Sequence, residues 1–333
     1  MSTILISHID LDGMGPIILR ELFNQYLCID EVDCRDYGFE SNTTLLEHYK
    51  TFDKILFTDI SVPQEVAEEL SKTSEVVFMD HHLPARWLEN RSGSFYSEDE
   101  CGTSLFWNHY VKPRIRRYNP VVDRVVELID TYDCWKDTSP LWDDAVSLNY
   151  VMYSSRFHVY GDKTPLAECS RFVDHMVRKI RENTTGTWEW DDGEQEIIEF
   201  QKCRLGSLYT RCMDNIDVRE DSAGRVFGVI QASSKISLVC SMILKNNPAF
   251  DYLVCVNSFN GVNGKISYRT RDRFDLNTIG MAHGHASAAA GTVTPDLALR
   301  LLSEHELTPR YGDDPLYDEK DMESYFSKVT QTR

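Results

Sequence analysis

Seven acids and histidines follow directly on three short apolar runs. TILIS (3–7) runs into HIDLDG (8–13), KILFT (54–58) into Asp59, and EVVFM (75–79) into Asp80, His81 and His82. A fourth acidic segment, IDTYDCW (129–135), carries Asp130 and Asp133. Carboxylate and imidazole ligands together suit Mn²⁺, Fe²⁺ or Zn²⁺ better than Mg²⁺, which favours oxygen and water. Two such ions about 3.5–4 Å apart can lower the pKa of a bound water from about 15.7 toward about 7 and so supply a hydroxide nucleophile. That chemistry needs no Ser or Cys nucleophile. Nothing in the sequence resembles a Ser-His-Asp elbow or a P-loop.

Such residues need a scaffold that brings separated segments to one edge. TILIS, KILFTD (54–59) and EVVFMD (75–80) read as buried strands. The stretches 14–27 and 63–72 read as helices, the second with Pro63 near its start and acids in its first half. Further helices are predicted over 101–111 and 120–132. This alternation predicts an α/β domain over 1–150, built on a doubly wound parallel sheet. In such a sheet ligands collect beyond the carboxyl ends of the strands. His8, Asp10, Asp12, Asp59, Asp80, His81 and His82 should therefore converge. A lone strand-end acid usually starts a loop or caps a helix; seven at three consecutive strand ends point to a site. Residues 151–215 read as a helical connector, with helices at 171–183 and 194–213 around a Gly/Trp/Asp-rich break. Strands return at 225–233, 252–259 and 265–271, with helices at 238–246 and 296–307. They predict a smaller α/β domain over 216–307. The polar tail, 308–333, carries one short helical stretch at 318–328 and adds either a homodimer contact or nothing.

HIDLDG, the TD of FTDIS, DHH and IDTYDCW stand in the order seen in the DHH phosphoesterase superfamily, which the first 140 residues resemble. That superfamily includes RecJ exonucleases, nano-RNases, cyclic-dinucleotide phosphodiesterases and type II inorganic pyrophosphatases. The resemblance implies two divalent metal ions, Mn²⁺ foremost. Asp10 and Asp12 would each take one metal, with His8 beside them. Asp59 would bridge both. His81 would bind metal, His82 would face the substrate phosphate, and Asp80 would orient His81. In the fourth motif Asp130 is the first choice of ligand, because it directly follows the apolar VVELI run, and Asp133 is its rival.

Thr103 and Ser104 of CGTS (101–104) open an apolar helix. They read either as a helix cap or as a helix start whose N–H groups meet phosphate, as at similar positions in that superfamily. Farther along, KISYRTR (265–271) puts Arg269 and Arg271 on one strand face. MAHGHASAAAGTV (281–293) follows. The pair resembles the DHH-associated domain, in which a strand arginine and a Gly-rich histidine loop hold the substrate's phosphate and base. The resemblance implies these roles for Arg269 and His285, with Gly284 in the loop. His283 replaces the loop's first glycine and is a partial substitute for His285. One extra residue separates His285 from Gly291. The remaining histidines, His175 among them, read as surface or core residues.

The chain has 333 residues, with 35 Lys+Arg against 53 Asp+Glu and a formal charge of −18. This acidity argues against long duplex nucleic acid as a partner, since such binding needs net basic surface. The basic KPRIRRY (112–118) is the one docking candidate, or else a solvated helix end. No apolar run approaches the ~18 residues of a transmembrane helix, so no membrane partner is expected. The first residues lack a signal-peptide pattern. Nine scattered cysteines without a CxxC pair fit a reducing cytoplasmic setting. The expected activity is two-metal hydrolysis of phosphodiester bonds in short oligoribonucleotides or dinucleotides. The rivals are a phosphohydrolase of cyclic dinucleotides or 3′-phosphoadenosine 5′-phosphate, and a protein that only sequesters nucleotide.

Overall fold

The computed structural model describes residues 1–35, 43–159, 164–221, 223–256, 264–270, 276, 283–285 and 288–293, with 43–45, 264, 265 and 283 onward described by backbone alone. The chain divides into two compact units, Met1–Glu199 and Phe200–Arg333.

The first unit is built on a five-stranded sheet. Its strands are β1 (Thr3–His8), β2 (Glu31–Arg35), β3 (Lys54–Thr58), β4 (Glu75–Asp80) and β5 (Phe95–Tyr96), in the order β2-β1-β3-β4-β5. Every pairing is parallel, in agreement with the α/β prediction. The three central strands read as unbroken apolar runs because both faces are covered. Leu5, Leu56, Val77 and Met79 face one core, which includes Met14, Ile17 and Ile18 of α1 (Leu11–Leu27). Ile4, Ile6, Ile55, Phe57 and Phe78 face the other, with Tyr49 of α2 (Thr43–Tyr49) and Val66, Ala67 and Leu70 of α3 (Gln64–Leu70). There Phe57 and Phe78 stack at 5.1 Å between centroids. Burial of each ring stabilises by roughly 1.5–3 kcal/mol.

Three differences from the sequence expectation bear on the site. Helix α1 begins at Leu11, three residues earlier than predicted, with Asp10 as its N-cap accepting from the Gly13 N–H at 2.9 Å. The helix predicted at 101–111 splits into a short α4 (Gly102–Leu105) and a π-helical turn, Phe106–Val111. Helix α5 (Val121–Asp133) then leads to α6 (Trp142–Met152), which the sequence pattern did not disclose.

Helices α7 (Pro165–Glu182) and α8 (Asp192–Asp214) fill the stretch read as a connector. Phe172, Met176 and Ile180 of α7 are buried in the same core as α1. The boundary between units falls inside α8. Its start is a capping box: Glu194 N–H donates to Asp191 Oδ1 and Asp191 N–H to Glu194 Oε2, each at 2.8 Å. Fully buried Glu194 also meets His175 Nε2 at 2.8 Å and bonds Lys179. Burial pushes the Glu194 carboxyl up, but the bonds from His175, Lys179 and the Asp191 N–H outweigh it and hold the pKa below 4.5. A depressed carboxylate stabilises the fold above the unfolded pKa, and the contribution is lost as pH falls through the folded one. Glu194→Gln is expected to cost about 3 kcal/mol at pH 7. Thermal unfolding at pH 7 and pH 3 should show the variant's deficit shrinking on acidification; a deficit that stays constant refutes this assignment.

The second unit carries a six-stranded sheet in the order β10-β11-β9-β8-β7-β6. It comprises β6 (Asp217–Glu220), β7 (Val226–Gln231), β8 (Tyr252–Val256), β9 (Gly264–Thr270), β10 (His283–His285) and β11 (Ala288–Val293). Helix α9 (Ile236–Asn246) packs on it through Val239, Cys240 and Ile243. The HGHASAAAG segment, read as a loop, contributes an antiparallel strand pair instead. Ala288–Gly291 pair antiparallel with Arg269, Tyr268, Ser267 and Ile266 of β9, a long-range pairing that overrides the low strand propensity of Ala and Gly. The helix predicted at 296–307 and the tail 308–333 lie outside the described residues. Among the described residues no helix is long and apolar enough to cross a membrane.

Candidate metal centre

The carboxyl ends of β1, β3 and β4 and the end of α5 converge. His8 Nδ1 lies 2.8 Å from Asp10 Oδ2 and 3.8 Å from Asp59 Oδ2. His81 Nε2 lies 3.4 Å from Asp59 Oδ1, 3.1 Å from Asp133 Oδ2 and 3.9 Å from Asp12 Oδ2. His82 Nδ1 is 3.8 Å from Asp59 Oδ1. Potential ligand atoms fall into overlapping groups, each within 4.8 Å: His8, Asp10 and Asp59; Asp59, His81 and His82; His81, Asp133 and Cys134. Asp59 is common to the first two.

Close packing makes this convergence possible. Asp59 has φ 56°, a left-handed conformation that costs a non-glycine residue of order 1 kcal/mol or more and is typical of functional sites. Gly102 packs against it. A Cβ at residue 102 would lie 2.8 Å from both the Asp59 Cβ and backbone N, and 3.0 Å from Asp12 Oδ2. The Gly102 and Thr103 N–H groups donate to Asp12 Oδ2 and Oδ1, each at 2.7 Å, and Thr103 Oγ1 donates to the Asp12 carbonyl at 2.5 Å. Asp12 is thus fully buried and held from three directions.

The electrostatics suit a cation. Asp59 Oδ2, His81 Nε2 and Asp133 Oδ2 are buried and make no hydrogen bond among the described residues. Burial, then the charges of Asp12, Asp10, Asp133 and Asp80, push the Asp59 carboxyl well up. Burial and the charges of Asp12, Asp10 and Asp130 do the same to Asp133. Asp10 is held below the usual carboxylate range: burial opposes this, but the His8 bond and charge and the Gly13 N–H outweigh it. Burial lowers His81, partly offset by Asp12. His82 is raised, because its Asp80 partner outweighs burial. Buried carboxylates crowded around orphaned oxygen and imidazole atoms fit a divalent cation.

Several residues stand differently from their expected roles. Asp133, the rival, turns to His81, whereas Asp130 accepts from the Cys101 N–H at 2.9 Å and bonds Lys136. Asp130 is therefore a structural anchor of the α4 start. Asp80 Oδ1 lies 2.8 Å from the His82 ring Nδ1 and meets His81 only through its backbone N–H, at 2.8 Å. Its other oxygen accepts from Ser61 at 2.9 Å. Asp80 thus orients His82, not His81. Thr103 and Ser104 are buried, and the N–H groups at 102 and 103 are occupied by Asp12. Of the two alternatives read for this helix start, the Gly102 and Thr103 N–H groups act here as a clamp on Asp12. Gly102, Ser61 and Lys136 were missed; the small residue in CGTS was the only signal for any of them. Asp80→Asn is expected to lower activity about 10–100-fold with the fold intact. Circular dichroism beside initial rates checks it, and wild-type rates would contradict the orienting role.

In the second unit Arg269 donates to Ser237 Oγ at 2.9 Å and to the Tyr268 carbonyl at 2.7 Å. Ala288 pairs with Arg269 on one side and with His285 on the other, so the three share one register row. His283 and Gly284 occupy the same β10 backbone.

No protein-family model matches the chain. A 3′,5′-cyclic-nucleotide phosphodiesterase of Helicobacter pylori is 21% identical over 340 residues, spanning 86% of this chain and 92% of the relative. The DHH domain of a protein assigned to a family of ribosomal proteins superposes with TM-score 0.61 at 12% identity, over 93% of this chain and 87% of that one. The pGpG-specific phosphodiesterase PggH of Vibrio cholerae gives TM-score 0.51 at 13% identity, over 90% and 96%. RecJ of Thermus thermophilus, in complex with Mn²⁺, gives 0.51 at 13%, over 90% of this chain and 50% of its own. The chain shares the fold of these DHH-domain, PggH and RecJ structures, and its four ordered acidic motifs resemble those of the DHH phosphoesterases.

Proposed function

We propose that this chain is a metal-dependent phosphodiesterase that cleaves short linear substrates, oligoribonucleotides of a few residues or dinucleotides. The observation that carries the reading is the position of the buried Asp59, shared by two groups of potential ligand atoms. His8, Asp10 and Asp59 would hold one divalent ion; Asp59, Asp12, His81 and Asp133 would hold a second, with Mn²⁺ the first candidate. When bound, such ions supply Lewis acidity that activates water and offsets charge on the phosphoryl oxygens.

The chain's own groups do the rest. Asp12 is pre-set by the α4 N–H groups, so its carboxylate need not reorganise on loading. Asp80 fixes the His82 ring through Nδ1, and Nε2 would then meet a substrate phosphoryl oxygen. Arg269 and His285, on one register row, are assigned to substrate grip in the 216–307 domain, with His283 and Gly284 beside them. The charge of −18 disfavours long polyanions and suits a short substrate held locally. None of the nine cysteines is in a disulfide, in keeping with a cytoplasmic enzyme.

A second reading, hydrolysis of a cyclic nucleotide, draws on the relative named for that activity. A substrate panel separates the two. Linear di- to pentaribonucleotides, pGpG, cyclic mono- and dinucleotides and 3′-phosphoadenosine 5′-phosphate should each be tested with Mn²⁺, Mg²⁺ and Co²⁺. Faster cleavage of the linear substrates is expected. Preference for cyclic substrates overturns the first reading, and binding without cleavage of any of them overturns both.

A further inference from the structure

The second unit holds a basic pocket that involves none of the residues assigned above. Phe200, Arg204, Ser207 and Arg211 recur along α8 at four-, three- and four-residue steps, which puts them on one helical face. That face lines a cavity of ≈ 310 Å³ whose other lining residues include Ser234 and Lys235, at the start of α9. Three cationic side chains and two hydroxyls thus converge, and no acid is among the described lining residues. In a chain with 18 more acids than bases this is a marked local reversal of charge.

Two features add to the convergence. Lys235 is the N-cap of an eleven-residue helix, where the backbone dipole also favours an anion. It has φ 54°, a conformation rare for lysine, and its ammonium pKa is pulled down to about 8 by burial and by the Arg204 charge. A pair of mutually repelling cations is relieved by an anion between them. At the rim, the Phe200 ring is 60% exposed, with the Arg204 guanidinium 5.8 Å from its centroid. An exposed ring beside a guanidinium is a stacking platform for a planar base. The volume lies at the small end of the range for small-molecule pockets, roughly 300–1,000 Å³.

We propose that this pocket binds a nucleoside monophosphate, its phosphate held by Arg204, Arg211 and Lys235 and its base lying against Phe200. The reading does not depend on hydrolysis at the metal centre. Binding is therefore measured on full-length, chelator-treated protein by titration calorimetry with AMP, inorganic phosphate and adenosine. AMP should bind more tightly than phosphate, and adenosine should not bind measurably. Arg204→Ala and Lys235→Ala should each weaken AMP by about tenfold or more. Arg211→Glu should abolish binding, and Phe200→Ala should reduce AMP to the affinity of phosphate. Lys245→Ala, in the last turn of α9 and not among the lining residues, should leave AMP binding unchanged. Absence of AMP binding to the folded protein overturns the proposal. So does AMP affinity that survives Arg211→Glu or disappears with Lys245→Ala.

Discussion

Replacing Asp59 with Asn should reduce hydrolysis by about 10³-fold or more, which corresponds to a loss of about 4 kcal/mol in transition-state stabilisation. Asn is the informative replacement because the backbone there is left-handed. Asn and Asp tolerate that conformation best among non-glycine residues. The fold should survive while the charge is lost. Metal-free Asp59→Asn protein should even unfold at a higher temperature than wild type, because the substitution removes one of several crowded buried carboxylates. The two effects of opposite sign form the signature: activity falls and intrinsic stability rises, the trade-off expected of a functional residue. Wild-type activity in this variant would remove the assignment of chemistry to this cluster.

Gly102→Ala should have an effect nearly as large, for a steric reason. The added Cβ would stand 2.8 Å from the Asp59 backbone N and Cβ. Asp59 or the start of α4 must then shift, and both carry the site. Overpacking of this kind costs about 1–3 kcal/mol of stability. A displacement near 1 Å at a reacting centre costs about 10²-fold in rate. Because α4 also clamps Asp12 through the Gly102 and Thr103 N–H groups, one methyl group disturbs two proposed ligands at once. Denaturant unfolding and initial rates measured on the same preparation check both numbers. A fully active Gly102→Ala protein would mean that this packing does not set the geometry.

The convergence at the strand ends was legible because buried parallel strands leave unbroken apolar runs, and the acids stand at the ends of those runs. What the one-dimensional pattern lacked was direction. Asp130 and Asp133 are three residues apart in the last turn of α5, so helical spacing puts both on one side. Their roles separate only through long-range partners: the Cys101 N–H and Lys136 take Asp130, and His81 faces Asp133. The resemblance implies Asp80 as the support of His81, its neighbour in sequence. Adjacent residues on a strand point to opposite faces, and the ring that Asp80 reaches is the next one, that of His82. Edge strand β2, EVDCR, escaped notice because its polar, half-exposed pattern lacks an apolar run. The α4 clamp on Asp12 spans some 90 residues of sequence, a separation that local patterns do not encode.

The most direct test is hydrolysis of a 5′-labelled diribonucleotide by chelator-treated protein, before and after addition of Mn²⁺, in wild type and Asp59→Asn side by side. The expected result is no cleavage without metal, cleavage by wild type on addition of Mn²⁺, and loss of about 10³-fold in the variant at the same metal concentration. Metal-independent cleavage, or equal Mn²⁺-dependent rates in the two proteins, would contradict a metal centre built on Asp59.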